Sequence, residues 1–333
     1  MDSLTQIVLG AAVGEAVLGK KVGNKAMLYG AIAGTIPDLD VLSRYFVDTV
    51  TAIEWHRGFS HSILFSILFA PVLGWLISRI EHKQTVSWRE WSWLMFWGLF
   101  THPLLDSFTT WGTQLFWPFD IRLAFQSIFV IDPLYTIPFF IFLILAMRLP
   151  KGDPQRRKYN NLGLILSSVY LLIGLGLKEL AYDNFVENLK EQNITYDKIE
   201  TRPTPFNTIL WTANIDIEDA YLIGEYSFFD TGPIVFTDYK KNHDLLGSMI
   251  KEDQIGRLIK VTKGWYTVSK KQQVLFYNDL RFGLIKPDPL NPIYAFSYRL
   301  LPSQGRLKIE EVPKFKGDAQ EVMSNLWSRI WGK

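Results

Sequence analysis

The stretch His56-Arg57-Gly58-Phe59-Ser60-His61-Ser62 runs directly into ILFSILFAPVLGWLISRI, Ile63 to Ile80, so two imidazoles and a guanidinium stand at the mouth of an apolar run. That run, read as 61–80, is close to the ~20 residues a helix needs to cross a bilayer. Ionisable groups beside hydrocarbon are costly, so a cluster of them is a functional signal by default. A second motif, Thr101-His102-Pro103-Leu104-Leu105-Asp106, closes another apolar stretch in the same manner.

Apolar runs at 3–19, 61–80, 133–149 and 161–178 read as spanning helices, and those at 26–36 and 91–105 as shorter spans or buried bundle helices. Beyond residue 180 the pattern changes to short alternations of apolar and charged residues, the mark of half-buried strands. The hydrophobic share of 48% and the mean hydropathy of +0.07 average over two unlike halves. The expected architecture is an α-helical polytopic membrane domain, residues 1–180, followed by a mostly β (α+β) extracytoplasmic domain, residues 181–333. In the latter, 206–217, 220–229, 265–277 and 293–300 read as strands. Asp318 is expected to open a closing helix with Val322, Leu326 and Ile330 on one stripe.

Basic residues fall in alternate loops: Lys20, Lys21 and Lys25; Arg79, Lys83 and Arg89; then Arg148, Lys151, Arg156, Arg157 and Lys158. The positive-inside rule makes these loops cytoplasmic. Tracing the helices from them brings Asp38/Asp40, His56/His61, His102/Asp106 and Asp132 to the opposite, outer membrane face. Met1-Asp2-Ser3 lacks the basic start of a signal peptide, so the first run is read as retained. Gly10, Gly14, Gly30 and Gly34 have the spacing that lets helices pack closely.

A net charge of +2, with no basic face interleaved with aromatics, gives nucleic acid no footprint. The absence of cysteine removes disulfides, thiolate nucleophiles and cysteine zinc sites, so a metal would be held by His, Asp or Glu. His102 and Asp106 are i,i+4 and share one helix face. His56 and His61 flank a glycine turn, and Asp38 and Asp40 follow Pro37. Each motif alone is weak, since a His–Asp pair on a helix is often only hydrogen-bonded. Their convergence from four segments at one membrane depth points to a divalent metal centre. Its candidate ligands are Asp38, Asp40, His56, His61, His102, Asp106 and Asp132. Zinc suits this donor set best, in two or three ions, with manganese or magnesium where carboxylates dominate. Arg57 and Asp40 are the candidate catalytic residues. The planar fork of Arg57 matches phosphate oxygens, although a salt bridge to Asp40 or a headgroup contact would also explain it. No G-x-S-x-G elbow supports a serine hydrolase.

Met1-Asp2-Ser3-Leu4-Thr5, Gly34-x-x-Pro37-Asp38-x-Asp40, His56-Arg57-Gly58-x-x-His61-Ser62, His102-x-x-Leu105-Asp106, Thr110-x-Gly112-Thr113 and Asp132-Pro133 together cover about residues 1–150. They resemble the membrane-bound metal-dependent hydrolases of the bacterial inner membrane described as LexA-binding. That family is distantly similar to zinc-dependent phospholipase C and the S1/P1 nucleases. The resemblance implies a multi-pass protein of the inner (plasma) membrane that hydrolyses a phosphoester through metal-activated water. Many relatives carry a His after the first Thr, where this chain has Gln6, a weaker ligand. Residues 107–131 carry Trp111, Phe116, Trp117, Phe119, Phe125 and Phe129, which suits contact with membrane lipid and a lipid or lipid-linked phosphoester substrate. One alternative is a non-catalytic membrane scaffold with structural metal and a partner-binding β domain; another is a transporter. A scaffold calls for a closed site, a hydrolase for an open coordination position.

Overall fold

A computed structural model describes residues 1–83, 85–303, 306–313 and 319–333; Asp318 lies outside them. The chain forms two compact units. The first comprises Met1–Leu42, Trp55–Gly176 and Pro205–Thr208; the second comprises Ser43–Glu54, Leu177–Thr204 and Ile209–Lys333.

The first unit is helical. It is built from α1 (Ser3–Val22), α2 (Asn24–Ala33), α4 (Ile63–Ile80), α5 (Trp88–Asp106), α6 (Pro133–Met147) and the first part of α7 (Pro154–Glu191), while α3 (Thr49–Trp55) falls almost wholly in the second unit. The boundaries follow from local chemistry. Asp2 accepts from the Thr5 amide to cap α1, Gly23 at φ 62° separates α1 from α2, and Ser87 with Glu90 forms a capping box for α5. The α1/α2 contact uses the small residues as expected. A Cβ placed on Gly10 would lie 2.3 Å from the Gly30 carbonyl oxygen, and one on Gly14 would lie 2.1 Å from that of Ala26. Leu18, Val22 and Ala26 pack with Phe65, Ala70 and Ile77 of α4 and with Trp91, Leu94 and Leu99 of α5.

Among the described residues, two helices, α4 and α7, are long and apolar enough to cross a membrane, and α6 is a shorter apolar helix. Helix α4 leaves Leu64, Ile67, Leu68, Phe69, Val72 and Trp75 exposed, the reverse of a water-soluble helix face. The three loops that carry the basic residues meet at one end of the bundle. Lys21 pairs with Glu90, Lys25 with Glu81, and Lys151 reaches the Lys21 carbonyl.

The second unit contains two antiparallel four-stranded sheets. The first has the order β1 (Lys198–Pro203), β2 (Leu210–Asp216), β3 (Ala220–Ser227), β4 (Phe236–Lys240). The second has the order β5 (Tyr266–Lys271), β6 (Val274–Lys286), β7 (Ile293–Ser303), β8 (Arg306–Glu311). Ala181, Phe185 and Leu189 of α7 pack on Trp211, Ala213 and Ile215 of the first sheet. Helices α8 (Asp253–Val261) and α9 (Ala319–Ile330) complete the unit.

The expected single strand 265–277 is two strands. Gln272 at φ 46° and Gln273 at φ 65° make a two-residue turn that pairs Lys271 with Val274, without the Asn or Gly that such turns favour. The expected strand 206–217 begins only at Leu210, because Phe206 turns at φ 68° and Pro205–Thr208 belongs to the first unit. The expected last span, 161–178, is part of one 38-residue helix.

Candidate metal centre

Four side chains from three elements of the first unit converge. Asp38 comes from the 3-10 helix Pro37–Tyr45, His61 ends the short 3-10 helix Phe59–His61, and His102 and Asp106 lie one above the other in the last turns of α5. Pro37 halts the chain leaving α2, and Ser62 caps α4 by accepting from the Phe65 amide, which turns His61 back toward α5. Arg57 adopts φ 57°, and a Cβ on Gly58 would lie 2.9 Å from the Trp55 carbonyl oxygen, so the chain returns through a tight turn.

The ligand atoms are spaced as a small cation would require. His61 Nε2 and His102 Nε2 are 3.1 Å apart. Asp38 Oδ1 is 3.5 Å from the first and 3.4 Å from the second. Asp106 Oδ2 is 3.5 and 3.6 Å from the same two nitrogens. Two ligands on one zinc-like ion with arms of ~2.0–2.1 Å stand about 3.3–3.4 Å apart in a tetrahedron; these five separations scatter around that value, and all four ligand atoms lie within 4.8 Å of one another. Asp106 Oδ2 is buried and has no hydrogen-bond partner; Arg57 Nε lies 3.0 Å away but is not aligned to donate. An oxygen in that state suits a cation, so the donor set fits a divalent metal.

The outer contacts orient both imidazoles. His102 Nδ1 faces the Gly34 carbonyl oxygen at 2.6 Å, so Nδ1–H donates and the Nε2 lone pair faces the centre. His61 Nδ1 lies 3.0 Å from Ser60 Oγ and 3.3 Å from Asp40 Oδ2. Gln6 Nε2 donates to Asp106 Oδ1 at 2.9 Å, and the Met1 amino group contacts that same oxygen. Gln6 thus supports a ligand rather than replacing one.

Burial raises the carboxyl pKa of Asp38 and Asp40, yet contacts with His102 and His61, or with His56 and His61, outweigh it and hold both well below the usual carboxylate range. Burial also disfavours the charged form of His61, but Asp106, Asp38 and Asp40 together push its pKa up to about 9. His56 differs: burial dominates over Asp40 and lowers its pKa.

Of the seven expected ligands, Asp38, His61, His102 and Asp106 are brought together. Asp40 stands behind them, accepting from the Arg57 amide at 2.7 Å and from Ser60 Oγ, with His56 Nδ1 3.0 Å from its other oxygen. His56 is the more exposed imidazole and lies against Trp111. Asp132 serves instead as the N-cap of α6, accepting from the Leu134 and Tyr135 amides and from the Tyr170 hydroxyl. Arg57 is buried between Asp106 and Thr109 Oγ1, 2.9 Å away, rather than paired through its guanidinium with Asp40. Ser60, Thr109 and the Gly34 carbonyl were not foreseen; only Ser60, beside His61, carried a sequence signal.

The first unit is thus a helical domain built around a candidate cation site. The model of the YdjM inner membrane protein family matches residues 1–181, and the chain belongs to that family. The chain is also 38% identical over 101 residues to inner membrane protein YbcI of Escherichia coli (strain K12), a match covering 30% of this chain and 57% of YbcI. This chain thus spans little more than half the length of that curated relative. No solved structure matches.

Proposed function

We propose that this inner membrane protein is a metal-dependent hydrolase acting on a phosphoester of a lipid or lipid-linked substrate at the outer membrane face. The observation that carries the reading is the gathering of Asp38, His61, His102 and Asp106, with ligand atoms all within 4.8 Å of one another and one Asp106 oxygen without a hydrogen-bond partner among the described residues. A divalent ion held there would lower the pKa of a bound water and offset charge on phosphoester oxygens. Asp38 is the ligand on the approachable side: its side chain is 25% exposed, against 0% for the other three. His56, with Nδ1 tied to Asp40, has its tautomer fixed, so Nε2 is the atom suited to move a proton at the rim. Arg57 counters the charge of Asp106 from within. Phe59 packs edge-on against Trp117 and Phe65, which supplies an apolar border for a substrate tail.

A second reading has its own support. Four protein ligands are the number that structural zinc sites use, so the ion would staple helices in a scaffold. Purified protein with its metal content measured, assayed on lipid phosphoesters in mixed micelles and on soluble headgroup analogues, separates the two. The hydrolase reading expects chelator-sensitive turnover, faster on the lipid form. The staple reading expects no turnover but a lower melting temperature after chelation. Sidedness is read by fusions: a reporter after Lys333 outside the cytoplasm and one near Gly152 inside it. The reverse in both fusions overturns the outer-face location.

A further inference from the structure

A row of four aromatic rings, all within the first unit, runs from α4 to the turn that carries His61. Phe65 and Phe69 stack with centroids 4.3 Å apart, Phe59 stands edge-on to them at 5.4 and 6.3 Å, and Trp117 stands edge-on to Phe59 at 4.9 Å. Phe65 is buried at 8%, while Phe69, Phe59 and Trp117 are 39%, 38% and 37% exposed, so three open rings border a covered one. Main-chain bonds fix the row to the centre. The Gln114 amide donates to the Arg57 carbonyl and the Ile63 amide to that of Leu115, both at 3.0 Å, which pins 114–115 on either side of His61. The Trp117 amide donates back to the Gln114 carbonyl at 3.0 Å, a turn that returns the indole to Phe59. Phe59 opens the 3-10 turn that His61 closes. At the other end of the row, Phe69 shares the exposed apolar face of α4 with Leu68 and Val72.

We infer that this row is a binding site for one hydrocarbon chain of a membrane lipid, which enters sideways from the bilayer along α4. The placement of that lipid's headgroup at the metal centre rests on reading the centre as acting on a lipid phosphoester, and the row adds the side from which the lipid arrives. Two observations select a lipid chain as the occupant. The row is continuous with the exposed face of α4, a helix long and apolar enough to cross a membrane in a chain of an inner membrane protein family, so a tail passes from one apolar surface to the next without crossing water. The rings are also ordered as a bilayer is, with phenyl groups toward α4 and the indole, a side chain suited to the headgroup level, toward the His61 turn. A water-soluble phosphoester leaves these open rings in water, whereas a methylene chain covers them.

The experiment uses the full-length protein in mixed micelles with a phosphatidylethanolamine that carries a photoactivatable diazirine midway along one acyl chain, and maps the adducts by peptide mass spectrometry. Adducts are expected on 57–63 and 114–119 as well as on 67–75 of α4, the last serving as the internal standard for lipid that merely surrounds the helix. Trp117→Ala is expected to lower labelling of 57–63 about tenfold against that standard, and Trp117→Phe, which keeps a ring, by about threefold or less. Adducts confined to α4, or labelling of 57–63 unchanged in Trp117→Ala, overturn the chain site. Adducts on 57–63 and 114–119 in a protein without turnover in the micelle assays keep the chain site and overturn the hydrolase reading. Turnover without those adducts does the reverse.

Discussion

The two ends of the helical unit handle buried charge differently. At the end where the basic loops meet, three carboxylates have cationic partners from the chain: Glu15 is gripped by Arg156, Glu81 by Lys25 and Glu90 by Lys21. Arg156 is completed by Asn24 and the Leu149 carbonyl, so that network is closed. At the other end, Asp38, Asp40 and Asp106 gather with two buried imidazoles, the Arg57 guanidinium and the Met1 amino group, and the second Asp106 oxygen has no hydrogen-bond partner among the described residues. A closed network is an anchor, whereas one with an acceptor left open beside two imidazoles offers the donor set that a divalent ion takes. Burial alone does not separate these cases, because Glu15–Arg156 at one end and Asp106–Arg57 at the other are both buried; the balance of donors and acceptors does.

The contrast breaks first at the ligands. Asp106→Ala and His61→Ala should each leave about a tenth of the wild-type metal or less on purification, since removing a ligand under-coordinates the ion and strands its neighbours. Glu15→Gln should retain full metal, and elemental analysis of the three proteins side by side decides whether the two ends differ in kind. Next in size is the anchor. Glu15→Ala leaves Arg156 as an uncompensated buried cation, and about 3–5 kcal/mol of stability should be lost in denaturant titration. A loss under ~1 kcal/mol would mean that water reaches that end and the network is not closed.

Asp40→Asn sharpens the comparison from the side of the outer contacts. Its amide still holds a hydrogen bond but no longer balances His61, so zinc affinity should fall roughly 10–100-fold without vanishing. Complete loss would promote Asp40 to a ligand. Smallest of all is Lys21→Ala, which removes a partly exposed pair with Glu90 and should shift stability by ~1 kcal/mol or less, with metal content unchanged.

Much of the first unit was legible because its signals are local. Apolar length, the alternate basic loops and the i,i+4 spacing of His102 and Asp106 depend on neighbours in sequence, and the helices formed where those signals lay. The division of labour within the site was not legible. Asp40 differs from Asp38 only in which face of a 3-10 turn it occupies, and Asp132 looks like a ligand until α6 forms and its amides claim the carboxylate. The placement of Ser43–Glu54 in the second unit was invisible for another reason: Glu54 bonds to Arg257 of α8, about 200 positions away, and seven helical residues carry no period long enough to read. The hairpin at Gln272–Gln273 was missed because neither residue advertises a positive φ.

Gly34 ties helix packing to the chemistry of the centre. Its carbonyl orients His102, and its Cα faces α1 so closely that a Cβ there would sit 2.5 Å from the Gln6 carbonyl oxygen. Any side chain at this position pushes the two helices apart and withdraws the acceptor in one motion. In a saturation screen for metal-dependent phenotype, Gly34 should therefore score with the ligands although it has no side chain to coordinate anything. Its tolerance profile would resemble that of a reactive residue, and its cause would be a lack of room.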